Sequence, residues 1–346
     1  MTYRFLSHVL PAIGCMLALN SCVSTDTLQP EKPLNESEEI VINLSAPAEI
    51  KSRATDGYKL RYIAKLVQGT SQNWDTGSNS TILQRKEIID GENNNTIVFK
   101  VTPNSYYGLL VFADYIPEES TANSDGHYPD YFYNTTTYPL RYSMRPTPGV
   151  DNDSYLLSAD FFNNDNYDCF SNMETIYKTE KEYIVNMTLH RMVAQVIFRE
   201  NTENTGLCNV NITQLSFIKN FDSNTQSSST VQNATLSSKL ITLSNTIDTD
   251  NKDILYYYTF ANPTNQSLNT SIGFEVNLEG KEPVTKSLKS IPVQSNYRTI
   301  VKSSYVPSVN LEEDPKDDDN DKDGDIILNL TTEFDWEQEP INYEVQ

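Results

Sequence analysis

Glycine is scarce in this chain, at 12 of 346 residues, and histidine scarcer, with His8, His127 and His190 the full set. So little glycine argues against a glycine-rich phosphate loop, where backbone must approach the ligand closely. Three dispersed histidines leave little for a histidine-based catalytic or metal centre. Cysteine numbers four, with no C-x-x-C or C-x-x-x-H spacing, so the common zinc frameworks are excluded. Positive charge is short as well. Lys+Arg number 26 against 47 Asp+Glu, a formal charge of −21. Nucleic acid and anionic lipid both need clustered Lys/Arg, so neither is expected as a partner. G-x-S-x-G is missing, which removes the hydrolase nucleophile elbow. Beyond the N-terminus no apolar run reaches the ~18 residues of a membrane-spanning helix.

What the chain does have is aromatic side chains, 21 Tyr and 13 Phe. Disordered chains are poor in these, so wholesale disorder is not expected. The length suits two domains, each able to bury a core. At the N-terminus Arg4 precedes an apolar run from Phe5 to Leu19, broken only by Ser7, His8, Pro11 and Gly14. That is the length of a secretory signal core and short for a membrane span. Leu19-Asn20-Ser21-Cys22 follows and resembles a bacterial lipobox. In that reading residues 1–21 are removed and Cys22 becomes the lipidated first residue, held firmly to a membrane by several acyl chains. The alternatives are ordinary signal cleavage nearby, or Cys15 as the acceptor. Residues 22–39 are polar, carry Pro30 and Pro33, and read as a flexible tether. Cys169 and Cys208 then remain. An oxidising exterior permits a bridge between them; the alternative is two small buried hydrophobes.

The body reads as strands. Ile40-Val41-Ile42-Asn43-Leu44 is a short one. Leu60, Tyr62, Ala64 and Leu66 alternate with Lys59, Arg61 and Lys65, the period of a half-buried strand. Ile97, Phe99 and Val101 repeat the pattern up to Pro103. Tyr106 to Tyr115 is nearly all apolar, as in a strand covered on both faces. Ile272, Phe274, Val276 and Leu278 alternate again, as do Ile326, Leu328, Leu330 and Phe334. No window carries a helical stripe longer than about two turns. Antiparallel β-sandwiches are the expected architecture. Between Tyr183 and Arg199 the apolar phase changes. Tyr183, Val185, Met187 and Leu189 are odd; after His190-Arg191 the even Met192, Ala194, Val196 and Phe198 dominate. A one-residue slip turns every side chain to the other face. The chain is therefore expected to leave one sheet for another here, with a domain junction near residue 190. Internal sequence repeats are not visible.

Five features, in order along the chain, resemble the fimbrillin family, the type V pilins and related surface lipoproteins of Bacteroides-like bacteria. They are the lipobox ending in Cys22; a strand followed by Lys51-Ser52-Arg53-Ala54; Leu109-Leu110-Val111-Phe112-Ala113-Asp114-Tyr115; Leu189-His190-Arg191-Met192-Val193-Ala194-Gln195-Val196-Ile197-Phe198; and Ile291-Pro292-Val293 with Asn296-Tyr297-Arg298-Thr299. The resemblance implies an all-β chain of two transthyretin-like β-sandwich domains in tandem, 40–189 and 190–346, without enzymatic activity. It also implies a route of assembly at the cell surface. An Arg-specific protease cuts Arg53–Ala54 and releases the strand Ile40–Leu44, and an extended segment of another pilin subunit fills the groove by strand addition. Ile341, Tyr343 and Val345 alternate with Asn342, Glu344 and Gln346, a brief candidate for the donor strand. A solvated tail or a plain edge strand is the alternative.

An acidic loop, 312–325, precedes the last strands. Asp319, Asp321, Asp323, Gly324 and Asp325 match the front of a calcium loop, D-x-D-x-D-G-x. Leu330 stands at the twelfth position, where an EF-hand needs a bidentate Glu. The residues thus suit either a weak calcium half-site or a hydrated, self-repelling loop. Tyr128, Tyr131, Tyr133 and Trp336 could stack on sugars or belong to the core. A monomeric outer-membrane carbohydrate-binding lipoprotein is accordingly the rival to the pilus subunit. No carboxylate pair stands out among 47 acids, so glycoside hydrolysis has no support.

Overall fold

A computed structural model of the chain describes residues 38–45, 56–69, 81–150, 156–178, 182–200, 206–228, 231–234, 236, 241–247, 252–264, 268–278, 280, 282–303, 305, 329–334 and 341–344. The first ten strands are β1 (Glu38–Ser45), β2 (Tyr58–Gly69), β3 (Ile82–Ile89), β4 (Thr96–Val101), β5 (Ser105–Pro117), β6 (Tyr133–Asn134), β7 (Arg141–Met144), β8 (Cys169–Lys178), β9 (Glu182–Thr188) and β10 (His190–Arg191). The remainder are β11 (Val193–Glu200), β12 (Gly206–Ile218), β13 (Asn220–Asp222), β14 (Ser227–Ser228), β15 (Val231–Asn233), β16 (Ile241–Ile247), β17 (Asp253–Phe260), β18 (Leu268–Leu278), β19 (Val284–Val293), β20 (Tyr297–Ser303), β21 (Asn329–Phe334) and β22 (Ile341–Glu344). The fold is all-β. Among the described residues helix is limited to 3₁₀ turns of three or four residues.

Before Met192 the strands form two sheets, ordered β4-β1-β9 and β10-β8-β5-β2-β3. After it they form β17-β11-β20-β21-β22 and β15-β12-β18-β19, with β16 also on β12. A smaller sheet, β14-β13-β7-β6, draws strands from both sides of residue 192. The expected phase change is visible as a path through three sheets. β9 pairs with β1, β10 with β8, and β11 with β17 and β20. Val185, Met187 and Leu189 point inward before the switch, while Val193 to Phe198 are buried on both faces after it.

The same pairing plan occurs twice. β1 is antiparallel to β4 and parallel to β9; β11 is antiparallel to β17 and parallel to β20. β2 lies between β3 and β5, with β8 beyond β5; β12 lies beside β16 and β18, with β19 beyond β18. All six pairs in that second comparison are antiparallel. The duplication is invisible in the residues, because a sheet needs only apolar alternation and tolerates many side chains that supply it.

Among the described residues the main core runs from Ile40 to Tyr305, with a small separate cluster of Val67, Leu110 and Leu140. Aromatics knit it together: Phe112 stacks on Tyr142 at 4.1 Å between ring centroids, and Tyr167 meets Phe132 and Phe161 edge-on at 4.8 and 5.0 Å. β5 is buried on both faces, as its apolar run required. β2 is a correction to the sequence reading. Its charged face is not in water, since Arg61 and Lys65 are both fully buried. The segment after β5 folds back over them, and only a set of compensating partners makes that burial tolerable.

Candidate functional site

β1 is the strand on which the functional question turns. Its alternation is simple: Ile40, Ile42 and Leu44 enter the core at 0, 0 and 6% exposure, while Glu39 and Ser45 face solvent. On one side it pairs with β4 from Glu38↔Val101 to Asn43↔Thr96; on the other it pairs with β9 from Glu39↔Glu182 to Ser45↔Thr188. Neither β4 nor β9 has another described strand partner. β1 is therefore the sole link in its sheet among the described residues. Side chains add to the ladder on the outer face. Asn43 Nδ2 donates to Asn186 Oδ1 at 3.0 Å, Thr96 Oγ1 donates to Asn43 Oδ1 at 3.1 Å, and the Ser45 and Thr188 hydroxyls lie 3.1 Å apart.

Next to this sheet, β2 is fixed by buried ions. Arg61 grips Asp114 on β5 with two hydrogen bonds, Nε to Oδ1 at 2.9 Å and Nη2 to Oδ2 at 2.8 Å. Its other donors reach Asp130 at 3.1 Å, the Tyr128 carbonyl at 3.0 Å and Glu87 at 3.4 Å. Arg85 on β3 donates to Glu87 and to the Thr135 carbonyl. Lys65 donates to the Thr135 and Pro139 carbonyls at 2.8 and 3.1 Å, with its ammonium 4.6 Å from the Tyr142 ring centre. Burial pushes the Asp114 carboxyl up despite Arg61 beside it. Burial acts on Asp130 in the same sense, but Arg61 and the Thr135 hydrogen bonds outweigh it and hold Asp130 low. Burial, with Arg85 and Arg61 adding repulsion, lowers Lys65 to about 7. The arrangement is structural, because its carboxylates are spoken for. Sequence reasoning missed it, although a signal existed: Asp114 is the single acid in the apolar run of β5, and a buried acid needs a partner.

Of the residues singled out by sequence, many lie outside the described residues. These are Cys22, Arg53, Ala54, Trp336 and the whole acidic loop with Asp319, Asp321, Asp323 and Asp325. Among the described residues no group of three His, Cys, Asp or Glu could hold a metal ion. Ile341–Glu344 forms β22, antiparallel to β21 at the edge of its own sheet. Cys169 and Cys208 are not bridged. Both are free and buried, Cys169 on β8 and Cys208 on β12, which belong to different sheets. Burial pushes the Cys169 thiol well up and the Cys208 thiol to about 11, so both behave as small hydrophobes. Tyr133 does not offer a sugar platform either; it is fully buried, and its hydroxyl donates to the Tyr167 carbonyl. Tyr131 packs partly buried against Tyr58 and Phe132.

No curated protein matches the chain. Solved structures with a similar chain course include the fimbrial anchor protein Mfa2 from Porphyromonas gingivalis, at 8% identity over 86% of this chain and 96% of that one, with a TM-score of 0.41. A fimbrial assembly protein from Parabacteroides distasonis gives 11% identity, 89% and 98% coverage, and 0.38. A candidate cell adhesion protein from Bacteroides eggerthii gives 12% identity, 86% and 95% coverage, and 0.44. The likeness is in chain course only. Residues 31–326 match the profile of a family of unknown function, DUF6562, and the chain belongs to that family.

Proposed function

We propose that the chain is a fimbrillin-like, non-enzymatic subunit of a surface fimbrium. In this reading it is a lipoprotein held to the outer membrane through Cys22, with domains 40–189 and 190–346. A protease cuts Arg53–Ala54, β1 leaves, and an extended segment of a neighbouring subunit takes its place. The observation that carries the reading is the position of β1, whose removal leaves β4 and β9 without a described partner. Unpaired strand edges and an open apolar groove are costly, and a strand of the right alternation satisfies both at once. Head-to-tail repetition of that contact builds an open filament.

The test is N-terminal sequencing of material sheared from the cell surface. A start at Ala54, in oligomers that form a ladder on gels, is the expected result. An intact lipidated monomer would reject assembly by strand exchange and favour the carbohydrate-binding rival.

A further inference from the structure

β3 and β4 are the outer strands of two different sheets, and a cleft of about 840 Å³ opens between them. Its floor includes Ile88 and Ile97, both buried, and its rim is polar. The wall on the β3 side is rigid, since Arg85 and Glu87 belong to the buried ion network beneath. The turn between β3 and β4 forms one end. There Asn93, Asn94 and Asn95 are successive residues with φ of 48°, 53° and 57°. Left-handed backbone is unfavourable for residues with a Cβ, and three in a row is a concentrated cost. Asn95 is tied down by hydrogen bonds to Gly91 and Asp90. Asn93 and Asn94 line the cleft, are exposed, and make no side-chain hydrogen bond to a described residue. Asp125 also lines the cleft, with an exposed carboxylate that pairs with no described cation.

We infer that this cleft is a binding site for a neutral saccharide. Two free carboxamides and a carboxylate supply both donors and acceptors, which is what adjacent hydroxyls require. The exposed rim charges Lys86 and Asp125 cancel, and beneath them Arg85 and Glu87 pair with each other, so an anionic or cationic ligand gains nothing. An extended peptide fits less well. It would need the free backbone edge of β4, but Lys86 Nζ already donates to the Val98 carbonyl and Gln84 Nε2 to the Lys100 carbonyl, at 2.5 Å for the latter. This site is independent of whether β1 is ever released.

The experiment is titration of the full chain with cellopentaose, maltopentaose, xylopentaose, mannopentaose and chitopentaose at millimolar concentration. The readout is the side-chain amide resonances of Asn93 and Asn94, with a synthetic peptide of residues 38–45 as comparison. At least one saccharide should move both resonances saturably. Asn94→Gly with Asp125→Ala should weaken that binding about tenfold or more, the loss expected for deleted hydrogen bonds, with Tm not lowered, since glycine accepts the left-handed backbone at residue 94. Three results would overturn the inference: no saccharide in the panel moves the resonances, the double variant binds as well as the parent, or the peptide alone moves them.

Discussion

Lys65→Met tests whether the buried ion network is read correctly. Lys65 is fully buried on β2, and its amine sits near 7 because burial and the neighbouring Arg85 and Arg61 oppose its charge. In the unfolded chain the same amine titrates near 10.4. The sign follows from linkage. Between these values the unfolded chain binds the extra proton, so stability rises with pH across that window and falls as pH drops toward 7. From pH 7 to pH 9 the unfolded amine stays protonated while the folded one loses most of its proton. At about 1.4 kcal/mol per pH unit, less the partial protonation near pH 7, the gain is about 2 kcal/mol. Methionine has a similar volume, no charge and no pKa, so this increment should be missing from the variant. The measurement is urea unfolding of parent and variant at both pH values, followed by near-ultraviolet circular dichroism. Buried tyrosines and cysteines, whose pKa values burial also raises, contribute equally to both proteins and cancel. Parent minus variant should therefore become more favourable by about 2 kcal/mol on going to pH 9. An unchanged difference would mean that the two carbonyls and the Tyr142 ring keep the amine charged, and the account of this cluster would be wrong.

Arg61→Met should cost about 3–5 kcal/mol, because it strands Asp114 in the interior and takes a partner from Asp130 and Glu87; Arg61→Met combined with Asp114→Asn should recover part of that loss in chemical denaturation. Ile42→Ala should cost about 2–5 kcal/mol by the same assay, since Ile42 is fully buried at the middle of β1, whereas Val41→Ala on the outer face should cost less than about 1 kcal/mol. Without reductant, iodoacetamide should leave Cys169 and Cys208 unmodified in the native protein and label both in urea, read by peptide mass; failure to label in urea would indicate a bridge.

Much of the strand content was legible because it rests on period-two alternation. Ile40–Leu44, Ile97–Val101 and Ile272–Leu278 all lie in the strands their alternation implied, and Tyr106–Tyr115 is covered on both faces. The change of apolar phase at His190-Arg191 marked the passage between sheets for the same reason. What alternation could not convey was what lies over a strand's polar face. Lys59, Arg61 and Lys65 look like a solvent face in sequence, yet the cover comes from Tyr128, Asp130, Thr135 and Pro139, some 70 positions away. Nor could it convey the doubled pairing plan, which depends on which strands meet and not on which residues they carry. The saccharide cleft was equally hidden. Its edges come from two sheets, and its asparagine turn reads in sequence as an ordinary loop.

The doubled plan bears on which strand could be exchanged. β1 and β11 occupy equivalent places, each between one antiparallel and one parallel neighbour. They differ in burial. β11 is covered on both faces, with Gln195 at 4% and Ile197 at 5% exposure, and β10 leads into it directly across Met192. β1 is covered on one face only, and its outer residues Glu39 and Ser45 are in water. Withdrawing β1 would uncover three aliphatic side chains, a loss of about 5–9 kcal/mol, which is comparable to the whole stability of a typical domain. The sheet around β2 has its own ladders to β3, β5 and β8, and the Arg61–Asp114 pair ties β2 to β5 without any help from β1. Loss of β1 would thus open a groove beside ladders that do not run through it. The energy forgone at Ile40, Ile42 and Leu44 is what an incoming strand would regain.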